Sequence, residues 1–301
     1  MEFSLKKDFL KDINIVITGA STGIGKALAF GLADLGAKVG LMSRSEDKLA
    51  HNVRKIRNRG RTATYKVADV SKYAQIESAF EYFAQEFGDI HVLINNAAIS
   101  YLKTTVDSIQ EIDNIVDINL KGTLYGCFAI KPYFEKIKYG SIINTSSVAG
   151  LKNWDGASPL YDATKAAINR FTTTMHTEYQ TKRIRINSIL PGWVDTPLLD
   201  GMPKALLDSV INSMGVPFIK PEALVPYYAF FCSRKSKRVT GSLVNIVYFL
   251  RVLNFIENQF GSVEGKWSEL ESSIKKEFTY GTYANIRKNK RLMKFLLKHK
   301  I

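Results

Sequence analysis

The chain of 301 residues is long enough to bury one large α/β core or two small domains. Its composition, with 46% hydrophobic and 23% charged residues, is that of a soluble globular protein and excludes a fibrous repeat or a disordered chain. The formal net charge of +14 is consistent with nucleic acid, an anionic membrane surface, anionic substrates and cofactors, or simply a solvated basic face.

The sequence carries no targeting or metal-binding signal. Charges interrupt residues 1–12, which therefore lack the apolar core of a signal peptide. The most apolar late stretch, 243–255, is shorter than the roughly 20 residues of a spanning helix and is interpreted as buried strand and helix. Cys127 and Cys232 share no metal-ligand spacing with a histidine. We therefore predict a cytoplasmic protein without a metal site.

Short apolar runs alternate with segments of helical periodicity between residues 11 and 190. In chain order, we predict a strand at 11–18, a helix at 24–35, a strand at 37–42, a helix at 47–58, a strand at 62–68, a helix at 73–87, a strand at 90–94, a helix at 109–130, a strand at 140–144, a helix at 161–180 and a strand at 185–190. This alternation predicts an α/β fold, a Rossmann-like doubly wound parallel sheet with helices on both faces. We predict a catalytic domain over 1–250 and a basic helical extension over 251–301.

A glycine-rich segment, TGASTGIG at 18–25, lies between the first strand and the first helix. Glycines allow the backbone to approach a pyrophosphate, and the helix N-terminus supplies free N–H groups. The segment therefore predicts a dinucleotide site, and a structural bend is the alternative. The predicted contacts are Gly19, Ser21, Thr22, Gly23, Ile24 and Gly25.

The residues at the end of the second strand bear on the choice of cofactor. An acid that reads the ribose is expected about 20 residues after the glycine loop, but Ser43 and Arg44 stand there. A guanidinium can hold a 2′-phosphate with its planar fork, which favours NADP(H) over NAD(H). The alternative, which stays open, is that Arg44 pairs on the surface with Glu46 or Asp47.

Tyr161 and Lys165 form a YxxxK pair at the start of the last long helix. Residues four apart share one helix face, and this face follows the strand at 140–144, near the edge where open α/β sheets bind ligands. A tyrosine is a poor acid–base near neutrality. A positive charge about 4 Å away is worth roughly 4 kcal/mol at an effective dielectric near 20, or about three pKa units. We therefore expect Lys165 to lower the pKa of Tyr161.

Further motifs follow at ordered spacing: Asp69-Val70, NNAA at 95–98, Asn119, NTSSVAG at 144–150 and PGWVDT at 191–196. With the glycine loop and the YxxxK pair, they make residues 10–245 resemble the short-chain dehydrogenase/reductase family. The resemblance implies that Tyr161 is the acid–base, that Lys165 lowers its pKa and contacts the nicotinamide ribose, that Ser147 hydrogen-bonds the substrate oxygen, and that Asn119 anchors a water of the proton relay. It also implies cofactor contacts by Asp69, Val70, Asn96, Ala97, Ala98, Pro191, Gly192, Val194 and Thr196.

The chain departs from the family pattern at two places. Ser147 and Tyr161 stand fourteen positions apart where the family usually has thirteen, so an extra residue falls within 152–158, where Trp154 is either a pocket wall or an exposed or core residue. The closing Asp-Gly-Gly is replaced by VYF at 247–249, and a basic tail of some fifty residues follows. The family's last strand commonly sits at a subunit interface, so the usual tetramer contact is in doubt, although a homodimer or homotetramer is still expected.

The tail predicts an amphipathic helix with Leu292, Phe295 and Leu296 on one side. It either docks on its own domain or a second subunit, or binds an acidic partner or an anionic membrane surface, which would make the protein membrane-peripheral. Nucleic acid is not expected.

The function predicted from the sequence is reversible hydride transfer between NADP(H) and a carbonyl/alcohol pair, as a ketoreductase. The apolar segment after residue 196 favours a hydrophobic, lipid-like, acyl or cyclic ketone, although sugar and secondary-metabolite ketones stay open. Candidate substrate contacts are Trp154, Trp193, Leu198, Leu199 and Met202. The alternative function is a catalytically idle NADP(H)-binding regulator or scaffold that uses the basic tail for partner binding.

Overall fold

The fold is described from a computed structural model that covers residues 5–101, 105–151, 158–200, 218–260, 267–278 and 280–299. Seven parallel strands form one sheet in the order β3-β2-β1-β4-β5-β6-β7. They are β1 Asn14–Thr18, β2 Lys38–Ser43, β3 Ala63–Val67, β4 Val92–Asn95, β5 Gly140–Thr145, β6 Ile184–Leu190 and β7 Leu243–Asn245. Strand order reverses between β1 and β4, where doubly wound sheets open a crevice for ligands. The predicted fold class is confirmed.

Helices cover both faces because alternate residues of each buried strand point to opposite sides. Ile15 and Ile17 of β1 belong to one core, and Val16 between them belongs to the other. The first core is covered by α1 Gly23–Asp34, α2 Glu46–Arg57 and α7 Val225–Cys232. The second is covered by α3 Tyr73–Phe87, α5 Gly122–Ile137 and α6 Pro159–Thr181.

The helix predicted at 109–130 is interrupted. The structure has a short α4 at Ile109–Ile115, a π-helical segment at Val116–Lys121, and then α5, which runs on to Ile137. Asn119, in the π-helical segment, exchanges two hydrogen bonds with the backbone of Ile99, so the wider turn fixes this side chain against the loop after β4. Such wide turns are frequent at functional sites.

The C-terminal tail docks on the domain itself. It forms α8 Ile246–Phe260, α9 Trp267–Glu277, α10 Tyr280–Lys288 and α11 Lys290–Lys298. The apolar side of α11 is buried in the first core, where the ring of Phe295 lies 5.2 Å from that of Phe230 and 5.6 Å from that of Phe9. Residue 250, the predicted boundary of the catalytic domain, lies within α8. Among the described residues, no helix is both long and apolar enough to cross a membrane.

The tail also closes the edge of the sheet. β7 pairs with β6 on one side, and on its other side the Asn285 amide donates to the Leu243 carbonyl at 2.9 Å. Asn289 donates to the same carbonyl at 3.5 Å. Unpaired strand edges invite pairing with other chains, so these amides protect the edge at the position where the family's closing motif is replaced.

Candidate active site

A cavity of about 830 Å³ opens at the carboxyl ends of the strands, beside the switch point between β1 and β4. It brings together most residues that the sequence analysis selected, from segments between positions 19 and 199. These lining residues are Gly19, Ser21, Thr22, Gly23, Ile24, Ser43, Arg44, Asp69, Val70, Asn96, Ala97, Ala98, Ser147, Tyr161, Lys165, Pro191, Gly192, Trp193, Val194, Thr196, Leu198 and Leu199.

Two described residues that the sequence analysis selected are not part of the lining. Gly25 and Asn119 are buried behind it, and Trp154 and Met202 lie outside the described residues. The cavity is also lined by Tyr101, Asp162 and Asp200, which sequence reasoning missed. Asp162 adjoins Tyr161, but neighbouring residues of a helix point in different directions, so sequence adjacency gave no reason to select it.

The glycine loop has the backbone shape that a phosphate site requires. Gly19 and Gly23 have φ of +67° and +53°, a region that residues with a Cβ rarely adopt. A Cβ on Gly19 would lie 2.8 Å from the Ala97 Cα. The Thr22 side chain, which precedes α1, accepts no hydrogen bond from the first turn of this helix. The N–H groups of that turn, at the edge of the cavity, are therefore available to a ligand. The positive end of the α1 dipole points the same way, which suits a phosphate.

Side chains from neighbouring strands hold this loop in place. The Thr18 hydroxyl accepts hydrogen bonds from the backbone N–H groups of Asn96 and Ala97, at 2.9 and 3.0 Å. The Asn96 amide donates to the Thr18 carbonyl at 3.1 Å. Asn96 therefore couples the ends of β1 and β4, and Gly25 permits the tight packing of α1 against the loop, since a Cβ there would overlap the Gly19 carbonyl.

The far end of the cavity carries the residues that bear on cofactor choice. Arg44 is 63% exposed, and its one ion pair within the described residues is long, 3.9 Å from its guanidinium to the Asp69 carboxylate. Its partner is therefore Asp69, not the Glu46 or Asp47 that the sequence alternative named. The Ser43 hydroxyl accepts a 3.2 Å hydrogen bond from the Ser45 N–H. The guanidinium is free to turn toward an anion in the cavity, because its one ion pair is long and exposed.

Tyr161 and Lys165 lie together on the first turns of α6. The Lys165 Nζ is 5.3 Å from the centre of the Tyr161 ring and donates a 2.8 Å hydrogen bond to the Thr145 carbonyl. Burial lowers the pKa of Lys165 to about 7. Burial also raises the pKa of the Tyr161 phenol to about 12, a hydrogen bond with Ser147 opposes that rise, and the Asp162 charge adds to it.

The raised pKa of Tyr161 reflects burial, which the sequence expectation about Lys165 did not include. Removing both groups from water disfavours the phenolate and the ammonium, and burial is the largest cause of both pKa shifts. The phenol therefore holds its proton at neutral pH. Burial likewise raises the pKa of the half-buried Asp162 to about 6.

The two serines at the end of β5 have different hydrogen bonds. The Ser146 hydroxyl donates to the Lys165 carbonyl at 3.0 Å and so anchors α6. The Ser147 hydroxyl accepts from the Ala149 N–H at 3.1 Å, and its single proton is directed at the cavity side, where the Tyr161 phenol lies. This geometry distinguishes Ser147 as the serine available to a ligand.

Asn119 holds the cavity wall in position. Its amide donates to the Ile99 carbonyl at 2.9 Å and to the Thr164 hydroxyl at 3.3 Å, and its side-chain oxygen accepts from the Ile99 N–H at 2.8 Å. It therefore links the loop after β4 to α6, one residue from Lys165. The sequence analysis selected Asn119 but did not predict this bracing.

Comparisons with known proteins agree with this geometry. A family model described as short chain dehydrogenase matches residues 14–206. The 3-oxoacyl-(acyl-carrier-protein) reductase FabG of Thermotoga maritima is 33% identical over 234 residues, which are 77% of this chain and 94% of that protein.

Two solved structures similar to this chain hold different cofactors. A 3-oxoacyl-(acyl-carrier protein) reductase from Brucella melitensis with bound NAD has a TM-score of 0.73 and 29% identity, covering 81% of this chain and 92% of that one. A gluconate 5-dehydrogenase from Burkholderia cenocepacia, in complex with NADP and tartrate, has a TM-score of 0.75 and 28% identity, covering 79% of this chain and 95% of that one. Similar structures thus bind nicotinamide cofactors of both kinds, so the overall likeness does not decide between them.

Proposed function

Because the chain belongs to the short-chain dehydrogenase/reductase family of oxidoreductases, we propose that it is a ketoreductase that transfers hydride between NADP(H) and a carbonyl/alcohol pair. The observation that carries this proposal is the pair Tyr161 and Lys165. It places a protonated phenol beside a buried amine in the wall of a cavity that begins at a helix N-terminus. A purely structural role would not require an ionisable amine to be buried there.

The cavity fits a dinucleotide from end to end. The N–H groups at the start of α1 would hold the pyrophosphate, Asp69 and Val70 would border the adenine, and Thr196 would face the carboxamide. Ser43 and Arg44 would hold a 2′-phosphate, and no acidic residue stands at the end of β2 to hold a free 2′-hydroxyl instead. When bound, the nicotinamide supplies or accepts the hydride.

The protein's own residues manage the proton. Tyr161, protonated at neutral pH, donates its phenolic proton to the carbonyl oxygen as that oxygen gains negative charge. Ser147 donates a second hydrogen bond to the same oxygen. The Lys165 ammonium, with its Nζ 5.3 Å from the centre of the Tyr161 ring, stabilises the phenolate by roughly 3 kcal/mol at an effective dielectric near 20. Asn119 braces the wall and, by the family resemblance, anchors the water that returns the proton.

The substrate end of the cavity is walled by Trp193, Leu198 and Leu199. The Trp193 ring is fixed by an edge contact with Phe218, with ring centres 6.4 Å apart. These side chains support a hydrophobic ketone, and the name of the Thermotoga relative supports an acyl chain among the lipid-like, acyl and cyclic candidates. Asp162 and Asp200 also border the space, so a polar group near the carbonyl can be accommodated.

The test is to follow NADPH oxidation by the full-length protein with a panel of ketones, including a 3-oxoacyl thioester, a cyclic ketone and a keto-sugar. We expect turnover with at least one hydrophobic ketone and less with the keto-sugar. The Tyr161→Phe protein is the matched control for background oxidation. Tight NADPH binding without turnover of any ketone would contradict the proposal and favour the idle regulator.

A further inference from the structure

A second concave site lies at the other end of the sheet from the cavity. The loop at 238–242, which leads into β7, and the junction of α10 with α11 enclose a groove of about 510 Å³. Volumes of this size are typical of small-molecule sites. Nine described residues line this groove, and none of these nine is acidic. Five of them are basic: Arg238, Lys288, Lys290, Arg291 and Lys294.

The positive charge of this groove is largely uncompensated. Glu271 lies 3.7 Å from Lys290 and 3.8 Å from Arg287, and both contacts are long. The other four basic side chains of the groove have no carboxylate partner in the part of the chain that the structure describes. Close like charges repel one another, and a concave surface concentrates their field. The groove therefore attracts a multiply charged anion.

Positive charge continues beyond the groove. At the C-terminal end of α11, burial and the charges of Lys298 and Lys235 lower the pKa of His299. Lys235 lies just before the 238–242 loop in the chain. Its effect on His299 indicates that the end of α11 lies close to this part of the chain.

The walls of the groove are held by packing that does not involve a ligand. Leu292, Met293 and Leu296 are buried in the core, which leaves Arg291 and Lys294 on the outer side of α11. Asn289 is 1% exposed and ties the junction of α10 and α11 to β7 through the Leu243 carbonyl. Basic residues some fifty positions apart in the chain are thus kept at fixed relative positions, which reduces the entropic cost of binding.

The lining discriminates between kinds of anion. Among the described residues that line it, none is an aromatic residue on which a base could stack, which disfavours single-stranded nucleic acid. The apolar side of α11 is already buried against the domain, so this helix cannot insert into a membrane while it is docked. A compact group with several negative charges matches both the concave shape and the row of cations.

We propose that this groove, formed by Arg238 and the basic side chains at 288–294, binds a small multiply phosphorylated anion at a site separate from the cavity. Arg291 and Lys294 contact it from the tail, and Arg238 contacts it from the loop before β7. Binding here requires neither the nicotinamide cofactor nor turnover, so this proposal and the proposed ketoreductase activity can fail independently.

The test is calorimetric titration of the full-length protein with inorganic tripolyphosphate at two salt concentrations. The Arg291→Gln/Lys294→Gln double variant should bind about tenfold more weakly or worse, and Arg238→Gln should also weaken binding. All three side chains are exposed, so these changes leave the core intact. The Lys55→Gln/Lys136→Gln protein removes the same charge from exposed positions on α2 and α5 and should bind like the parent.

The comparison between variants also separates the two ends of the molecule. If tripolyphosphate bound at the glycine loop instead, its affinity would be the same in the parent, the groove variants and the control protein. Equal affinity in the parent and both groove variants would overturn the proposal. So would retention of the protein by anionic phosphatidylglycerol vesicles or duplex DNA, dependent on Arg291 and Lys294, with no binding of free tripolyphosphate.

Discussion

Two buried cations lie at opposite ends of the sheet, and their surroundings differ. Arg185, at the amino end of β6, is 6% exposed and donates hydrogen bonds to the Phe231 carbonyl, the Ser236 hydroxyl and the Tyr139 hydroxyl. Its guanidinium also lies 5.8 Å from the centre of the Tyr139 ring. Lys165 is 2% exposed, and its ammonium donates one hydrogen bond, to the Thr145 carbonyl.

The difference separates a structural cation from a functional one. Arg185 is enclosed by oxygen acceptors and an aromatic face, which compensate for its removal from water. An ammonium has three protons to donate, and among the described residues Lys165 uses one of them, at the wall of the cavity. A buried cation whose N–H donors are mostly unused by the protein destabilises the fold. Such destabilising groups are typical of active sites, where a ligand uses the donors.

Tyr161→Phe gives the largest expected effect and tests whether Lys165 serves this phenol. The change removes the proton donor and leaves the ring, so turnover should fall by roughly 10³-fold, within the range of general acid catalysis. The dissociation constant for NADPH should stay within about twofold, since the glycine loop is untouched. Steady-state kinetics and a fluorescence titration measure the two quantities. Activity within a few-fold of the parent would mean that another group is the acid.

Lys165→Met should lower turnover by about 10²-fold and yet raise stability. The side chain keeps its length while the buried charge disappears. The lost charge-assisted hydrogen bond to Thr145 is worth about 2 kcal/mol, less than the several kcal/mol that burying an ammonium costs. Chemical denaturation at several pH values measures the free energy of unfolding. A variant less stable than the parent at pH 6 would show that Lys165 is a structural cation like Arg185.

The pH dependence of that gain follows from the lowered pKa of Lys165. In the unfolded chain a lysine keeps its proton up to about pH 10.4, whereas the folded protein releases it near pH 7. Between these values the unfolded chain binds more protons, so the stability of the parent rises with pH. Below about pH 7 both states are protonated, and the folded parent bears the whole cost of the buried charge. The advantage of Lys165→Met should therefore be greatest there and shrink toward pH 10.

Arg185→Met is the matched change at the other end of the sheet, and we expect the opposite result. It leaves the Phe231 carbonyl and the Ser236 and Tyr139 hydroxyls without their donor, so unfolding free energy should fall by about 3 kcal/mol. Turnover at a temperature where the variant is folded should stay within about twofold. A large loss of turnover with unchanged stability would show that Arg185 is not a structural cation and would contradict its contrast with Lys165.

Sequence reasoning located the cavity well because parallel strands buried on both faces leave continuous apolar runs, and loop motifs such as 18–25 follow them directly. It did not locate the π-helical turn at Asn119. This turn is fixed by hydrogen bonds to a loop distant in sequence, and such bonds do not change the hydrophobic periodicity from which helices are predicted. It also did not predict the burial that raises the pKa of Tyr161, because spacing shows which residues share a face but not how much water is excluded. The sequence did not predict the basic groove, because the two segments that line it, 238–242 and 288–294, are far apart in the chain.

Arg44 provides a third case, an exposed cation whose effect should be smaller than that of either buried one. Beside it, Ser43→Asp would place a carboxylate at the end of β2, close to the position proposed for the 2′-phosphate. The carboxylate repels that phosphate and can accept a hydrogen bond from a free 2′-hydroxyl, so the preference should shift toward NADH.

We expect the ratio of kcat/KM for NADPH over NADH to be about tenfold or more in the parent and to fall by at least about tenfold in Ser43→Asp. The change should lie mainly in KM, because Ser43 is far from Tyr161 along the cavity and binds the cofactor equally before and during the reaction. Ser43→Asn is the control, because asparagine has the shape of aspartate without its charge. This variant should shift the ratio much less than Ser43→Asp. If Asn and Asp shift it equally, size at this position decides the cofactor, and the exposed guanidinium of Arg44 does not.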